Sequence, residues 1–196
     1  GNSVIMLIPE ISLTPQFTSF FSDLFDRVGV VHSGLTPKKK EQIWNQCLRG
    51  ELDIVIGPRS AIFMPLDSLG VIIIDEEHDS SYKQESSPRY FTHDVAIQRS
   101  QTQHAKIIFG SATPSVDTFY LSTQHQLAYH SLTERFNDNE MPVVEILNLK
   151  TTHKNYLIHD RLLEKIELNL LSKQRTLILV NRRGYSSFLK CGACGS

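Results

Sequence analysis

Five short apolar runs, at residues 4–8, 28–31, 53–56, 71–74 and 105–109, punctuate the first part of the chain, and none alternates apolar with polar residues. A strand that is apolar at consecutive positions suits a parallel sheet covered on both faces, whereas a sheet with one wet face needs alternation. Helical patterns lie between the runs. Thr14-Pro15 offers an N-cap followed by proline at the first helical position, and Phe17, Phe20, Phe21, Leu24 and Phe25 then form one apolar stripe. Thr36-Pro37 repeats that start, with Ile43, Trp44, Cys47 and Leu48 as the expected buried face, and a further helix is expected over 93–101. Strand and helix in this order predict a doubly wound α/β sheet, in which ligands sit at the carboxyl ends of the strands.

After about Leu127 the rhythm changes. Residues 133–141 are polar and turn-rich, 143–147 are strand-like, and 150–155 read as a linker. Asp160 is expected to cap a helix carrying Leu162, Leu163, Ile166, Leu170 and Leu171, followed by a strand over 176–180 that starts a second sheet. With 20 Lys and Arg against 21 Asp and Glu the net charge is −1, so any nucleic-acid contact has to come from a local patch. Three cysteines are too few for a disulfide framework. No run reaches the roughly 18 apolar residues of a membrane-spanning helix. Both observations lead us to expect a soluble protein of a reducing cytoplasm.

The strongest chemical signal is Asp75-Glu76-Glu77-His78, placed where the run 71–74 ends. Carboxylates at the carboxyl edge of a sheet can hold Mg²⁺ through its waters and orient or deprotonate an attacking water. Three adjacent acids repel one another, which a cation would relieve; the alternative is a polar turn with Asp75 as a helix cap. Gly110-Ser111-Ala112-Thr113-Pro114-Ser115 ends a later strand and should lie near Asp75, with Pro114 starting a helix. Arg59, just past a strand, suits a phosphate, aided by Ser60 and backbone N–H groups, or a surface ion pair. Lys38-Lys39-Lys40 reads as a solvated face, and Cys47 as a core residue. Cys191 and Cys194 have the spacing of half a zinc ribbon.

The strings Leu7-Ile8-Pro9-Glu10, His32-Ser33-Gly34-Leu35, Gly57-Pro58-Arg59-Ser60, Asp75-Glu76-Glu77-His78, Asp79-Ser80-Ser81-Tyr82-Lys83-Gln84 and Gly110-Ser111-Ala112-Thr113-Pro114 resemble the ordered motifs of superfamily 2 DNA helicases. More narrowly they are similar to the helicases that restart stalled bacterial replication forks. Asn181-Arg182-Arg183-Gly184-Tyr185 and Cys191-Gly192-Ala193-Cys194-Gly195 continue the resemblance.

The resemblance implies a RecA-like parallel sheet flanked by helices over residues 1–150, as most of a first motor domain. A linker over 151–160, the start of a second motor domain over 161–190 and the first half of a zinc-binding ribbon over 191–196 would follow. It implies Asp75 as the Mg²⁺ residue and Glu76 as the activator of the hydrolytic water. His78, Ser111 and Thr113 would couple nucleotide state to DNA. Pro9, Glu10, Arg59 and Ser60 would grip the DNA backbone. Tyr82, Lys83, Arg89 and Tyr90, with Phe91, would form an aromatic-rich loop that senses single-stranded DNA. Ser87-Pro88 stand where the family usually shows a tryptophan.

The implied function is ATP-dependent 3′-to-5′ unwinding in replication restart and primosome assembly. ATP with Mg²⁺ and structural Zn²⁺ would be the cofactors of the intact protein. Single-stranded and forked DNA, primosome proteins and single-stranded-DNA-binding protein would be its partners, in the bacterial cytoplasm and without a membrane. The chain holds no GxxxxGK[ST] phosphate loop, so it reads as an internal fragment, inactive alone. The other readings are a non-catalytic single-stranded-DNA or primosome-partner module, and a different superfamily 2 translocase.

Overall fold

The computed structural model describes residues 2–10, 15–134, 142–148 and 158–179. The chain forms two compact units, Gly1–Ser131 and Leu132–Ser196. In the first, the order is β1 (Ser3–Leu7), α1 (Pro15–Leu24), β2 (Val28–Val30), α2 (Pro37–Leu48), β3 (Ile54–Gly57), β4 (Leu69–Ile74), β5 (Lys83–Gln84), β6 (Tyr90–Phe91), α3 (Thr92–Gln103), β7 (Lys106–Phe109) and α4 (Val116–Thr123). Short 3-10 turns at Arg59–Phe63 and Ser80–Tyr82 fill the loops after β3 and β4. All five apolar runs are strands of one parallel sheet, ordered β2-β3-β1-β4-β7. This is the RecA-like α/β arrangement expected from the sequence.

The strand order fixes where a ligand can enter. From β1 the chain leaves toward β2 on one side; from β4 it leaves toward β7 on the other. The crevice of such a sheet opens where the connections diverge, at the carboxyl ends of β1 and β4. Asp75 N–H donates to Leu7 O there (2.9 Å), so the acidic turn begins on the switch point itself.

Coverage of the sheet is less even than continuous apolar strands suggest. Ile5, Leu7, Val55, Ile72 and Ile74 share one face and are fully buried, against Ala61 and Ile62 of the 3-10 turn, Cys47 of α2 and Ala96 of α3. The opposite face is only partly covered: Val4, Met6, Val71 and Ile73 are half-buried, and Ile108 is 51% exposed. Helix α1 buries none of its residues, and Phe20, Leu24 and Phe25 stay exposed. Its phenylalanines pack mainly on one another, as in the 4.9 Å contact of Phe17 with Phe21. Likewise, only Cys47 of the expected α2 face is buried, while Trp44 and Leu48 are exposed.

The cap expected at Thr36 forms. Thr36 Oγ1 accepts Lys39 N–H at 3.4 Å, with Pro37 as the first helical residue; Thr14 lies outside the described residues. Helix α4 starts at Val116, two residues later than expected. Ser115 is its N-cap, accepting Thr118 N–H at 3.3 Å, and Pro114 precedes the cap. Lys38, Lys39 and Lys40 are exposed, as a solvated face requires.

Gly57 closes β3 where the chain turns into Arg59. A Cβ there would lie 2.8 Å from Val31 O and 2.9 Å from Ala61 Cβ, inside van der Waals contact with a backbone atom that cannot swing away. Gly57→Ala is therefore expected to lower stability by about 1–3 kcal/mol. A urea midpoint shift at unchanged slope would show it; an unshifted midpoint would refute the close packing.

In the second unit, α5 spans Asp160–Leu171. Its N-cap is His159, whose Nδ1 accepts Arg161 N–H at 3.1 Å, rather than Asp160, which is the first helical residue. The expected apolar face is only partly covered, with Leu163 and Ile166 half-buried and Leu162, Leu170 and Leu171 exposed. Residues 143–147 and 176–179 form no strand. Val143, Ile146, Leu177 and Leu179 are more than nine-tenths exposed, and neither segment has a ladder partner among the described residues. A strand without a neighbour leaves its backbone groups without ladder partners, so apolar content alone does not make one. The expected linker at 150–155 and the positions Asn181, Arg182, Arg183, Gly184, Tyr185, Cys191 and Cys194 lie outside the described residues.

Candidate nucleotide and nucleic-acid site

Three backbone bonds lock the ends of β1, β4 and β7 together. Besides Asp75 N–H to Leu7 O, Gly110 N–H donates to Ile74 O (2.8 Å) and Glu77 N–H to Gly110 O (3.0 Å). The acidic turn and the Gly110–Thr113 turn are thus one rigid assembly, as their places in sequence led us to expect. A Cβ on Gly110 would sit 3.4 Å from Asp75 Oδ1, so glycine leaves the face of that carboxylate clear.

Glu76 adopts φ +46°, a left-handed conformation unusual for a side-chain-bearing residue. Asp75 Oδ1 steadies it by accepting Glu76 N–H at 3.0 Å. The twist sends the three carboxylates to different places. Those of Asp75 and Glu76 remain partly exposed, whereas Glu77 is 2% exposed. Mutual repulsion is relieved largely by this separation, because one of the three acids is drawn into protein.

Glu77 is surrounded by donors. Its Oε1 accepts Ser115 N–H (2.6 Å), and Oε2 accepts from Ser115 Oγ (3.1 Å), Thr118 Oγ1 (2.9 Å) and His93 Nε2 (3.1 Å). Burial pushes its pKa up, but the bonds from Ser115, Thr118 and His93 outweigh burial and hold the carboxyl below its ordinary value. His78 stays at the surface. Its Nδ1 lies 3.6 Å from Glu76 Oε2 and shares a 2.7 Å hydrogen bond with Ser111 Oγ. Ser111 Oγ also accepts Thr113 N–H at 3.0 Å. Asp75, Glu76, His78, Ser111 and Thr113 therefore occupy one edge.

A second cluster lies at the ends of β1, β2 and β3. Glu10, His32, Ser33, Lys40, Arg59 and Tyr90 line a groove of about 460 Å³, with Ser60 at its wall. Glu10 Oε1 accepts Ser33 N–H at 2.9 Å, and hydrogen bonding by Ser33 holds that carboxyl below the usual range. Arg59 Nη1 donates to Ser81 O (2.7 Å) and Lys83 O (3.3 Å), tying the end of β3 to the loop after β4. Its Nε and Nη2 have no protein partner among the described residues. Lys83 and Arg89 are exposed, and Tyr90 packs edge-on against Phe63 at 5.1 Å.

Two expected DNA-facing residues point inward instead. Tyr82 is fully buried and donates its hydroxyl proton to Asp75 O at 2.6 Å; burial first, then the nearby acids, push its pKa up. Its ring is core and is not offered to a base. Pro9 is buried as well, so Glu10 alone of that pair is exposed. The sequence reading placed Ser115 in a turn near the acidic run but missed His93 and Thr118 as partners of Glu77. No local pattern marks His93 as a partner of Glu77, which the fold brings to it from 16 residues away.

A carboxylate- and hydroxyl-bearing edge beside a groove lined by Lys40, Arg59 and Tyr90, on a parallel sheet of this order, is the arrangement of a RecA-like α/β domain. Residues 1–120 match the family model of the DEAD/DEAH box helicases, and the chain belongs to that family. Along its whole length it is 44% identical to the replication restart protein PriA of Synechocystis sp. and 40% identical to that of Bacillus subtilis, covering 24% and 25% of those proteins. With PriA of Rickettsia prowazekii the identity is 37%, over 31% of that protein. The chain thus spans between about a quarter and a third of the length of the curated relatives it matches.

Proposed function

We propose that residues 1–150 are most of the first motor domain of a replication-restart DNA helicase. Residues 151–160 would be the linker, 161–190 the start of the second motor domain and 191–196 the first half of a zinc ribbon. The observation that carries this reading is the joined edge at Asp75–His78 and Ser111–Thr113, seated on the switch point of the sheet and flanked by the Arg59 groove. The whole protein would couple ATP hydrolysis to 3′-to-5′ movement on single-stranded and forked DNA in the bacterial cytoplasm. Primosome proteins and single-stranded-DNA-binding protein would be its partners.

The donor set fits Mg²⁺ carried by a nucleotide. Among the described residues no group of three or more His, Cys, Asp or Glu could hold a metal by itself, and Mg²⁺ at such sites takes one or two carboxylates, with waters and phosphates as the rest. Asp75 would hold the ion through its waters, with Gly110 leaving the approach open. When bound, the Mg²⁺ nucleotide supplies the phosphoryl group and its charge neutralisation. Glu76, exposed and next to His78, would take the proton of the attacking water at its carboxylate. His78 would report to Ser111 and Thr113 through their hydrogen bonds. Cys191 and Cys194 supply two thiolates, half of a closed four-ligand zinc set.

On the DNA side, Arg59 and Ser60 would bind phosphate, assisted by Lys83 and Arg89, with Tyr90 and Phe91 as stacking rings. Glu10, whose carboxylate caps Ser33 N–H, would order the groove wall. Fluorescence anisotropy of a labelled oligo-dT with the chain tests this. Weak binding is expected, with a log–log salt slope of about −0.7 per phosphate contacted. Arg59→Ala should weaken it roughly tenfold, as loss of a charge-assisted bond of about 1.5 kcal/mol implies. Equal affinity of variant and parent would remove Arg59 from the DNA path, and no binding at low salt would defeat the DNA reading of this chain.

A further inference from the structure

Glu77 and His93 belong to no motif role assigned above, yet they join three parts of the site. Glu77 sits in the acidic turn and accepts both Ser115 and Thr118 of the α4 start. His93 reaches it from the first turn of α3, directly after the loop that carries Lys83, Arg89, Tyr90 and Phe91. Two rings stack on the imidazole, Phe91 at 4.3 Å and Phe109, the last residue of β7, at 5.2 Å. Tyr82 meets its edge at 5.8 Å.

His93 is 5% exposed, and its Nδ1 has no hydrogen-bond partner. A buried polar atom without a partner is unfavourable, and a phenylalanine would pack against those rings without it. What the histidine adds is the Nε2–H bond to Glu77. Phe91, by contrast, is 37% exposed and stacks on His93. A displacement of the loop at Phe91 can therefore reach Ser115 by way of His93 and Glu77.

We propose that Glu77 and His93 are positioning residues that transmit the placement of the 83–91 loop to the α4 start, and hence to the Ser111–Thr113 turn. The proposal rests on the reading of that loop as the DNA-facing element and of Ser111 and Thr113 as the nucleotide-facing one. Neither residue touches DNA or nucleotide; each acts through the next group in the chain of contacts. Packed intermediacy alone does not establish coupling, so the test perturbs one end and reads the other.

Amide hydrogen exchange at Ser115, whose N–H donates to Glu77, reads the far end in the free chain. His93→Phe keeps the ring stack and removes the donor; His93→Gln keeps a donor near Nε2 and removes the ring. Ser115 exchange is expected to quicken about tenfold in His93→Phe and to stay within about threefold of the parent in His93→Gln, while amides of β1 and β4 keep their rates. Phe91→Leu, which alters only the loop side, is expected to quicken Ser115 several-fold. Uniform quickening across the sheet in His93→Phe would make His93 a mere packing residue and overturn the proposal. Unchanged Ser115 exchange in either His93→Phe or Phe91→Leu, or failure of glutamine to restore it, would overturn it too. No arm contains DNA or nucleotide, so the outcome is independent of whether the DNA reading survives.

Discussion

A chain carrying Glu77→Ala is expected to lose about 3–5 kcal/mol of folding stability. That is a large share of the ~5–15 kcal/mol a domain possesses. The magnitude follows from what is left behind. Ser115 N–H and the His93 Nε2 proton lose their acceptor inside protein, and only the hydroxyls of Ser115 and Thr118 can turn to each other, at 2.8 Å. The exposed carboxylate of Glu51, paired with Arg49 at 2.5 Å, makes the contrast. Water replaces that partner at once, so Glu51→Ala should leave the urea midpoint nearly unmoved. The sign with pH also follows. Because the folded carboxyl of Glu77 is held below its ordinary value, its contribution is complete above the unfolded value and disappears as pH falls through the folded one. The gap between parent and Glu77→Ala should therefore narrow in acid. Urea titrations at neutral and acid pH measure both effects, and a loss under about 1 kcal/mol at neutral pH would mean that water fills the place of the carboxylate.

Legibility in the sequence divided along a physical line. The five strands of the sheet and the Thr36-Pro37 start are local: a run of apolar residues or a hydroxyl before proline carries its reason within a few residues, and the structure follows it there. Neighbourhood at the sheet edge was legible too, because parallel strands deliver their carboxyl ends to one place, so Asp75 and Gly110 had to meet. Direction was not. Asp75, Glu76 and Glu77 are equivalent as letters, and only the left-handed turn at Glu76 sends Glu77 inward. Tyr82 and Pro9 carried the residue types of a DNA surface but lie on the inner side of their loops. Apolar pattern likewise states which face is to be covered and not what covers it. The stripes of α1 and α5 and the segment 143–147 are all apolar, and all remain largely open among the described residues.

Glu76→Gln is expected to cut DNA-stimulated Mg-ATP turnover by roughly 10²–10⁴-fold, the range for removal of a general base. The comparison belongs in a protein that joins these residues to a phosphate-binding loop, since the 196 residues contain no GxxxxGK[ST] and should show no turnover by themselves. Glutamine keeps the length and one oxygen of the side chain, and its amide still lies beside His78, whose Nδ1 is 3.6 Å from Glu76 Oε2. The left-handed backbone at residue 76 is held by Asp75 Oδ1 and not by the Glu76 side chain, so the turn should keep its shape. What changes is the capacity to take a proton. Turnover should fall while nucleotide affinity, which the proposed function assigns to Asp75 and a phosphate loop, stays within about threefold; a drop in both would point to a collapsed turn instead. Retention of more than about a tenth of the parent rate would move the base to another group, and Asp75 is the only other carboxylate partly exposed at that edge among the described residues of the turn. Turnover by the 196-residue chain itself, abolished by the same substitution, would mean that the sheet edge binds phosphate through groups other than a glycine-rich loop, and Gly110–Thr113 would be the first place to look.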